Sequence, residues 1–227
     1  MSNTETTNVS APDPSVAQGR MTLMLIAGIP VIVILASTWL WYFVMSGELD
    51  LVGALGTSNN GKLIQPPRQA QEAGWESAER TPFSPPIPAR WTLVIPLAGD
   101  SCGTPCEALL YQARQIHQSL GKEIGRVQRL LVTDGSLSEV TLTVAELSDE
   151  RPIPESFNAY LESEQRGMEA MQTSPESFKR MFSELGDDPQ SWYLMDPSGW
   201  VMMRYDSSVN YKDVISDLKF LIKNSNG

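Results

Sequence analysis

Histidine and cysteine are the scarcest reactive residues in this chain: one histidine, His117, and two cysteines, Cys102 and Cys106, among 227 residues. Two cysteines are too few for a disulfide scaffold and cannot fill a four-ligand zinc site by themselves. A lone histidine also restricts nucleophile chemistry. His117 follows Cys106 by 11 positions, about 16 Å along a shared helix, so it is expected to be a helix-flank residue and not a partner of the thiols. Gly-rich phosphate loops, His-Glu-x-x-His and serine nucleophile elbows are all missing, which removes the corresponding nucleotide enzymes, zinc proteases and hydrolases. Positive charge is in deficit too. With 17 basic against 27 acidic residues the net charge is -10, and no Lys/Arg cluster reverses it locally, so nucleic acid is not expected as a partner.

Charge disappears altogether between Met21 and Gly47. The apolar stretch Met21–Val44 would reach about 36 Å as a helix, enough to cross a hydrocarbon core with some tilt. A cleaved signal peptide is the competing reading, but its apolar part is usually about 7–15 residues, with a basic front and a small-residue cleavage site behind it. Here Glu5 and Asp13 precede the stretch and no such site follows. Residues 21–45 are therefore read as a transmembrane helix, with Trp39, Trp41 and Tyr42 at an interfacial belt. Arg20 before it and Glu48 and Asp50 after it favour an N-terminus inside. Residues 1–20 are then a disordered cytoplasmic tail, the protein is single-pass in an inner (cytoplasmic) membrane, and its C-terminal part lies in a periplasm where disulfides persist.

Residues 46–90, rich in Pro and Gly, read as a tether. Residues 91–224 hold one domain. Trp91–Leu97 is apolar and partly β-branched, as expected of a buried strand. Leu109, Ala113, Ile116 and Leu120 recur at helical spacing behind the cysteines, and Gly121 offers a cap. Arg126–Thr133 reads as the next strand, close enough behind that helix for a β-α-β crossover. Leu137–Leu147 alternates like a further strand. Helices are expected from Pro154 to about Met171 and from Pro175 to Leu185, the second capped by Ser174. Ser191–Met195 and Trp200–Tyr205 flank Asp196-Pro197-Ser198-Gly199, a turn sequence that predicts a hairpin. Asn210 caps a last helix with a stripe of Val214, Ile215, Leu218, Leu221 and Ile222. The order β-α-β, helices, β-β-α, with cysteines between first strand and first helix, is that of an α/β thioredoxin-like fold.

A helix N-terminus presents unpaired N–H groups and about half a positive charge, favouring thiolate at Cys102 or Cys106. A thiolate can attack a disulfide while the second cysteine resolves the intermediate, or both sulfurs can hold a soft ion such as Cu(I). An inert disulfide that staples a loop is the plain alternative. Met168, Met171, Met181, Met195, Met202 and Met203 could offer thioethers, but their positions suit core filling. The acidic stretch from Glu146 to Glu176 reads as solvated surface, with docking of a basic partner as the alternative.

The membrane anchor, the Cys102-Gly103-Thr104-Pro105-Cys106 motif after a buried strand and the Tyr193–Gly199 turn (Tyr-Leu-Met-Asp-Pro-Ser-Gly) resemble the SCO/SenC family, which delivers copper and exchanges thiols during cytochrome c oxidase assembly. Asn60–Pro67, Leu120-Gly121-Lys122 and Arg126-Val127 also resemble a little-characterised branch of membrane proteins associated with oxidase assembly. The resemblance implies that Cys102 and Cys106 are the paired redox or copper cysteines; the position of the pair at a helix N-terminus beyond a membrane anchor gives the expectation that Cys102 is the attacking thiolate and Cys106 the resolving one. It also implies an oxidase subunit or a copper or redox assembly factor as partner. Two departures stand out. Glu107 occupies the place of a family proline, and Asp187-Asp188-Pro189-Gln190 stands where the family has its copper-binding histidine. With that ligand missing, Cu(II) binding in the family's manner is doubtful and thiol-disulfide exchange gains weight, leaving Cu(I) on the two sulfurs, or a scaffold role without chemistry, as alternatives.

Overall fold

A computed structural model of the chain describes residues 14–45, 59–77 and 90–225. It divides into two units, Met1–Ser58 and Asn59–Gly227. In the first, helix α1 spans Pro14–Met45. Within it Gly19–Phe43 is long and apolar enough to cross a membrane, with mean hydropathy 2.4. Leu23, Ile26, Ile32 and Trp41 stand exposed, and the Thr38 hydroxyl donates to the Ile34 carbonyl at 2.8 Å, so the helix satisfies its own polar groups as a lipid environment demands. The expected tail over residues 1–20 needs correction at its end: residues 14–20 already belong to α1, which opens on a proline suited to a first turn. The rest of that tail, like residues 46–58 and 78–89 of the expected tether, lies outside the described residues.

The second unit is built on a seven-stranded mixed sheet. In chain order its strands are β1 (Lys62–Gln69), β2 (Glu76–Ser77), β3 (Trp91–Leu97), β5 (Val127–Thr133), β7 (Met168–Gln172), β8 (Trp192–Met195) and β9 (Trp200–Tyr205). Across the sheet they run β1-β9-β8-β3-β5-β7-β2, while β4 (Ser101–Gly103) and β6 (Thr141–Thr143) form a separate parallel pair. Strand β3 lies at the centre with all seven residues buried. It pairs parallel with β5 from Trp91↔Val127 to Leu97↔Thr133 and antiparallel with β8 over Thr92–Val94. Pro96, which cannot donate to a ladder, lies beyond the part paired to β8.

The period of two sorts the core into two layers. Leu93, Ile95 and Leu131 pack on one face with Leu110, Ala113 and Ile116 of α2 (Thr104–Gln118) and Val214, Leu218 and Ile222 of α5 (Tyr211–Asn224). Val94, Leu130 and Val132 pack on the other with Phe178, Met181 and Phe182 around α4 (Pro175–Met181). Full burial of each such side chain contributes about 1.5–3 kcal/mol. The β3-α2-β5 crossover and the closing β8-β9-α5 unit appear as expected, giving the thioredoxin-like α/β arrangement. Asp196 Oδ1 accepts from Ser198 N at 2.9 Å and Trp200 N at 2.8 Å, and Gly199 takes φ +87°, which explains the Asp-Pro-Ser-Gly turn.

Three expectations are corrected. Residues 59–77 contain two edge strands of the sheet, so this part of the expected tether is integral to the unit: β1 pairs antiparallel with β9 and β2 with β7. The helix expected over Pro154–Met171 stops early; α3 covers Phe157–Glu164 with Ser156 as its cap. Gly167 at φ +76° turns the chain and β7 then pairs parallel with β5. Its Met-Glu-Ala-Met-Gln sequence favours helix locally, and the open edge of β5 overrides that preference. Of the strand expected over Leu137–Leu147, Thr141–Thr143 forms, paired to the cysteine strand.

Besides the Lys62–Asp206 ion pair at its start, β1 is tied down by a more buried one. Arg68 donates to both Glu184 oxygens, at 2.5 and 2.8 Å, and to the Met181 carbonyl at 2.7 Å, while the Tyr193 hydroxyl donates to Glu184 at 3.1 Å. Burial alone would raise the Glu184 pKa, but the Arg68 hydrogen bonds outweigh it and bring the value to about 2. A lowered folded-state pKa stabilises above the unfolded value near 4.3 and is lost as pH falls toward 2. Glu184→Gln is therefore expected to cost about 2 kcal/mol near neutral pH, a deficit that shrinks toward zero by about pH 2, measurable by urea unfolding across that range.

Candidate functional site

The end of β3 leads through Ala98-Gly99-Asp100 into the short strand β4, where Cys102 pairs with Leu142 of β6. Gly99 takes φ +78°, and its N–H is held by Asp134 Oδ1 at 2.8 Å, joining the turn after β3 to the turn after β5. Ser101 and Thr143 hydroxyls meet at 2.8 Å. Gly103 is the N-cap of α2, with Thr104 and Pro105 opening it and Cys106 next. Proline suits this place because the first turn's N–H groups have no helical partner. The motif thus straddles a strand-to-helix junction. Cys102 and Cys106 are joined as a disulfide with Cα atoms 5.2 Å apart.

The two sulfurs are not equivalent. Cys102 is 0% exposed and belongs to the main core. Cys106, in the first helical turn, is only half-buried. Solvent access therefore falls to Cys106, the reverse of the order expected from the sequence, because the strand cysteine is packed into the main core while the one in the first helical turn lies only partly buried against it.

From the sequence Glu107 stands out only as the residue in place of a family proline; the structure turns this immediate neighbour of Cys106 inward. It is 2% exposed and its carboxylate accepts from the Ser148 N–H at 3.2 Å, the Ser148 hydroxyl at 2.5 Å and the Tyr160 hydroxyl at 3.3 Å. Burial pushes the Tyr160 pKa well up, so this phenol stays a donor. Gln165 donates to Tyr160 at 2.9 Å and accepts from Arg129 at 2.7 Å, extending a buried polar chain from the residue after Cys106 to β5. A signal for Glu107 existed: it shares the spacing of Leu110 and Arg114, so the inward stripe of α2 includes charged positions.

His117 lies at the other end of α2, its Nε2 2.9 Å from the Val127 carbonyl. Burial holds its pKa below the usual histidine value. It is a helix-flank residue, as expected. Asp188, where the resembled family carries histidine, is committed to the backbone: it accepts from Gln190 N at 3.1 Å and Ser207 N at 3.0 Å. Among the described residues no group of three or more His, Cys, Asp or Glu side chains is placed to hold a metal. Met171, Met181, Met195 and Met203 are buried in the two core layers. The acidic stretch is only partly free surface, since Asp149 and Glu164 pair with Arg114 and Arg151.

Solved structures similar to this chain include yeast Sco1 with copper bound, at 15% identity and TM-score 0.46 over 75% of this chain and 96% of that one. A SCO1/SenC family lipoprotein from Bacillus anthracis is similar at 19% identity and TM-score 0.44 over 72% and 96%. Apo Sco1 from Thermus thermophilus is similar at 16% identity and TM-score 0.47 over 73% and 99%. No curated protein matches the chain. Residues 91–225 match the model of the family described as transmembrane-like, thioredoxin-like, C-terminal domain. That stretch contains the β3-α2-β5 crossover, both cysteines and the β8-β9-α5 unit, and the chain belongs to this family.

Proposed function

We propose that the chain is a single-span membrane protein that performs thiol-disulfide exchange at Cys102–Cys106 on the periplasmic side of the inner membrane, in support of cytochrome c oxidase assembly. One observation carries the exchange chemistry: the two cysteines close into a disulfide at a helix start, with Cys106 half-buried beside solvent. The assignment to oxidase assembly rests on the sequence resemblance in the Tyr193–Gly199 turn and the cysteine motif.

A partner thiolate attacks Cys106 Sγ, forming a mixed disulfide and releasing Cys102 as a thiolate that takes up a proton. The partner's second thiolate then attacks its own sulfur in the mixed disulfide, and Cys106 leaves as a thiolate. The partner loses two electrons, and the pair gains them. Run backward, the reduced pair opens a partner disulfide, led by Cys106 at the helix N-terminus, where the dipole favours thiolate. Trapping in membranes tests this. Cys102→Ala removes the resolving sulfur and is expected to accumulate a mixed disulfide with an oxidase subunit or assembly factor, whereas Cys106→Ala is expected to trap none. Failure of both variants to trap any partner would sink the exchange reading.

A second reading treats Cu(I) as cargo on the reduced pair, favoured by the 5.2 Å Cα separation, which brings two soft donors together. The donor set fits two-coordinate Cu(I) and not a three-ligand site, because His117 and Asp188 are engaged elsewhere. Anaerobic titration of the reduced protein is expected to show at most one Cu(I), lost in Cys106→Ser; no bound Cu(I) would eliminate this reading.

A further inference from the structure

Away from the cysteines, the last turns of α2, the Arg129 position of β5, Asp149 and Arg151, and the end of α3 line an open cavity of about 710 Å³. Its walls carry four guanidinium groups, Arg114, Arg129, Arg151 and Arg166, against two carboxylates, Asp149 and Glu164. In a chain of net charge -10 this is a local surplus of positive charge. Both carboxylates are ion-paired, Asp149 through Oδ2, with its Oδ1 buried without a hydrogen-bond partner. Arg114 donates to Asp149 at 2.6 Å and to Glu164 at 3.0 Å, and Arg151 reaches Glu164 at 2.7 Å and Asp149 at 3.4 Å.

Arg129 has no such counterion. It is 2% exposed, and its terminal nitrogens donate to neutral acceptors, Gln165 Oε1 at 2.7 Å and the Arg166 carbonyl at 2.8 Å. Its Nε is buried without a hydrogen-bond partner. Burial, and then the like charge of Arg114, lower its pKa to about 10, so it still carries its proton at neutral pH. A buried cation unmatched by a carboxylate is costly, and an anion beside it offsets that cost. Arg166, exposed at the mouth, forms no salt bridge among the described residues. Two planar guanidinium forks at one cavity, one buried and one exposed, suit the several acceptor oxygens of a tetrahedral phosphate.

We propose that this cavity binds a phosphate group, with Arg129 supplying the buried charge and Arg166 closing over the ligand from the mouth. The group is borne either by free phosphate or by an anionic lipid headgroup. Calorimetric titration of full-length protein in neutral detergent with inorganic phosphate is expected to show one saturable site per chain. Arg166→Gln should weaken it about tenfold, and Arg180→Gln, on α4 outside the cavity lining, should leave it unchanged. Arg129→Gln is expected to abolish it, and because that variant alters a buried position, the exposed Arg166 variant decides. Dihexanoyl phosphatidic acid displacing phosphate with tighter affinity assigns the group to a lipid; equal or weaker displacement assigns it to a soluble phosphate. Absence of saturable binding of either probe in the millimolar range, or affinity unchanged in Arg166→Gln, overturns the proposal.

Discussion

Once the disulfide is reduced, Cys106 is expected to react with iodoacetamide about tenfold or more faster than Cys102, and Cys106→Ser to drop exchange with a small dithiol to the uncatalysed rate. The argument is one of access and charge together. Cys102, in β4, is fully buried in the main core, so a reagent must open that packing to reach it. Cys106 is half-buried at the third position of α2, where unpaired N–H groups favour its thiolate. Mass spectrometry of the partly alkylated protein reads the order directly, with single-cysteine variants as controls for each site. Equal rates, or faster modification of Cys102, would contradict the assignment of Cys106 as the leading sulfur. Loss of the bridge should itself cost about 2 kcal/mol, since a five-residue loop constrains the unfolded chain only modestly. Loss of chemistry and loss of stability are therefore separable.

The largest stability effect is expected at Asp217. This α5 carboxylate, 3% exposed, accepts from Asn60 N at 3.0 Å, Gly61 N at 3.0 Å, Asn60 Nδ2 at 3.0 Å and the Tyr205 hydroxyl at 3.2 Å. One side chain thus anchors the start of β1 to the last helix and to β9. Asp217→Ala leaves several buried donors unmatched and is expected to cost about 3–5 kcal/mol, lowering the melting temperature by about 10 °C. Asp217→Asn keeps one acceptor oxygen and should cost roughly half as much. Scanning calorimetry of the two variants beside the parent distinguishes them. An alanine variant within about 0.5 kcal/mol of the parent would show that residues 59–61 do not depend on this anchor. Gly61 is caught in the same corner: a Cβ there would lie 2.4 Å from Met203 Sδ and 2.7 Å from Tyr205 Cε1, so bulk as well as charge specifies the junction.

The elements read correctly from sequence are those whose signal is local. The all-apolar Trp91–Leu97, the 4-3-4 stripe along α2, the Asp-Pro-Ser-Gly hairpin and the Asn210 cap each carry their cause in a few neighbouring residues. The misread elements depend on partners distant in the chain. Lys62–Gln69 contains Pro66 and Pro67 and looks like a linker, yet it pairs with β9 more than 130 residues later, through a register shift that accommodates the prolines. Met168–Gln172 looks helical and becomes a strand because β5 offers it an edge.

The cysteine site divides in the same way. Sequence alone determined that two thiols lie between a buried strand and a helix, that the only histidine is too far along that helix to assist them, and that the resembled family's copper ligand is replaced by Asp188. The first two follow from residue identity and spacing, and the third is what the family resemblance implies. Only the tertiary structure decided which sulfur faces solvent, that Glu107 turns inward to Ser148 and Tyr160, and that Arg129 is buried without a counterion. Burial and pairing are set by what the rest of the chain lays over a residue, and no local window of sequence contains that information.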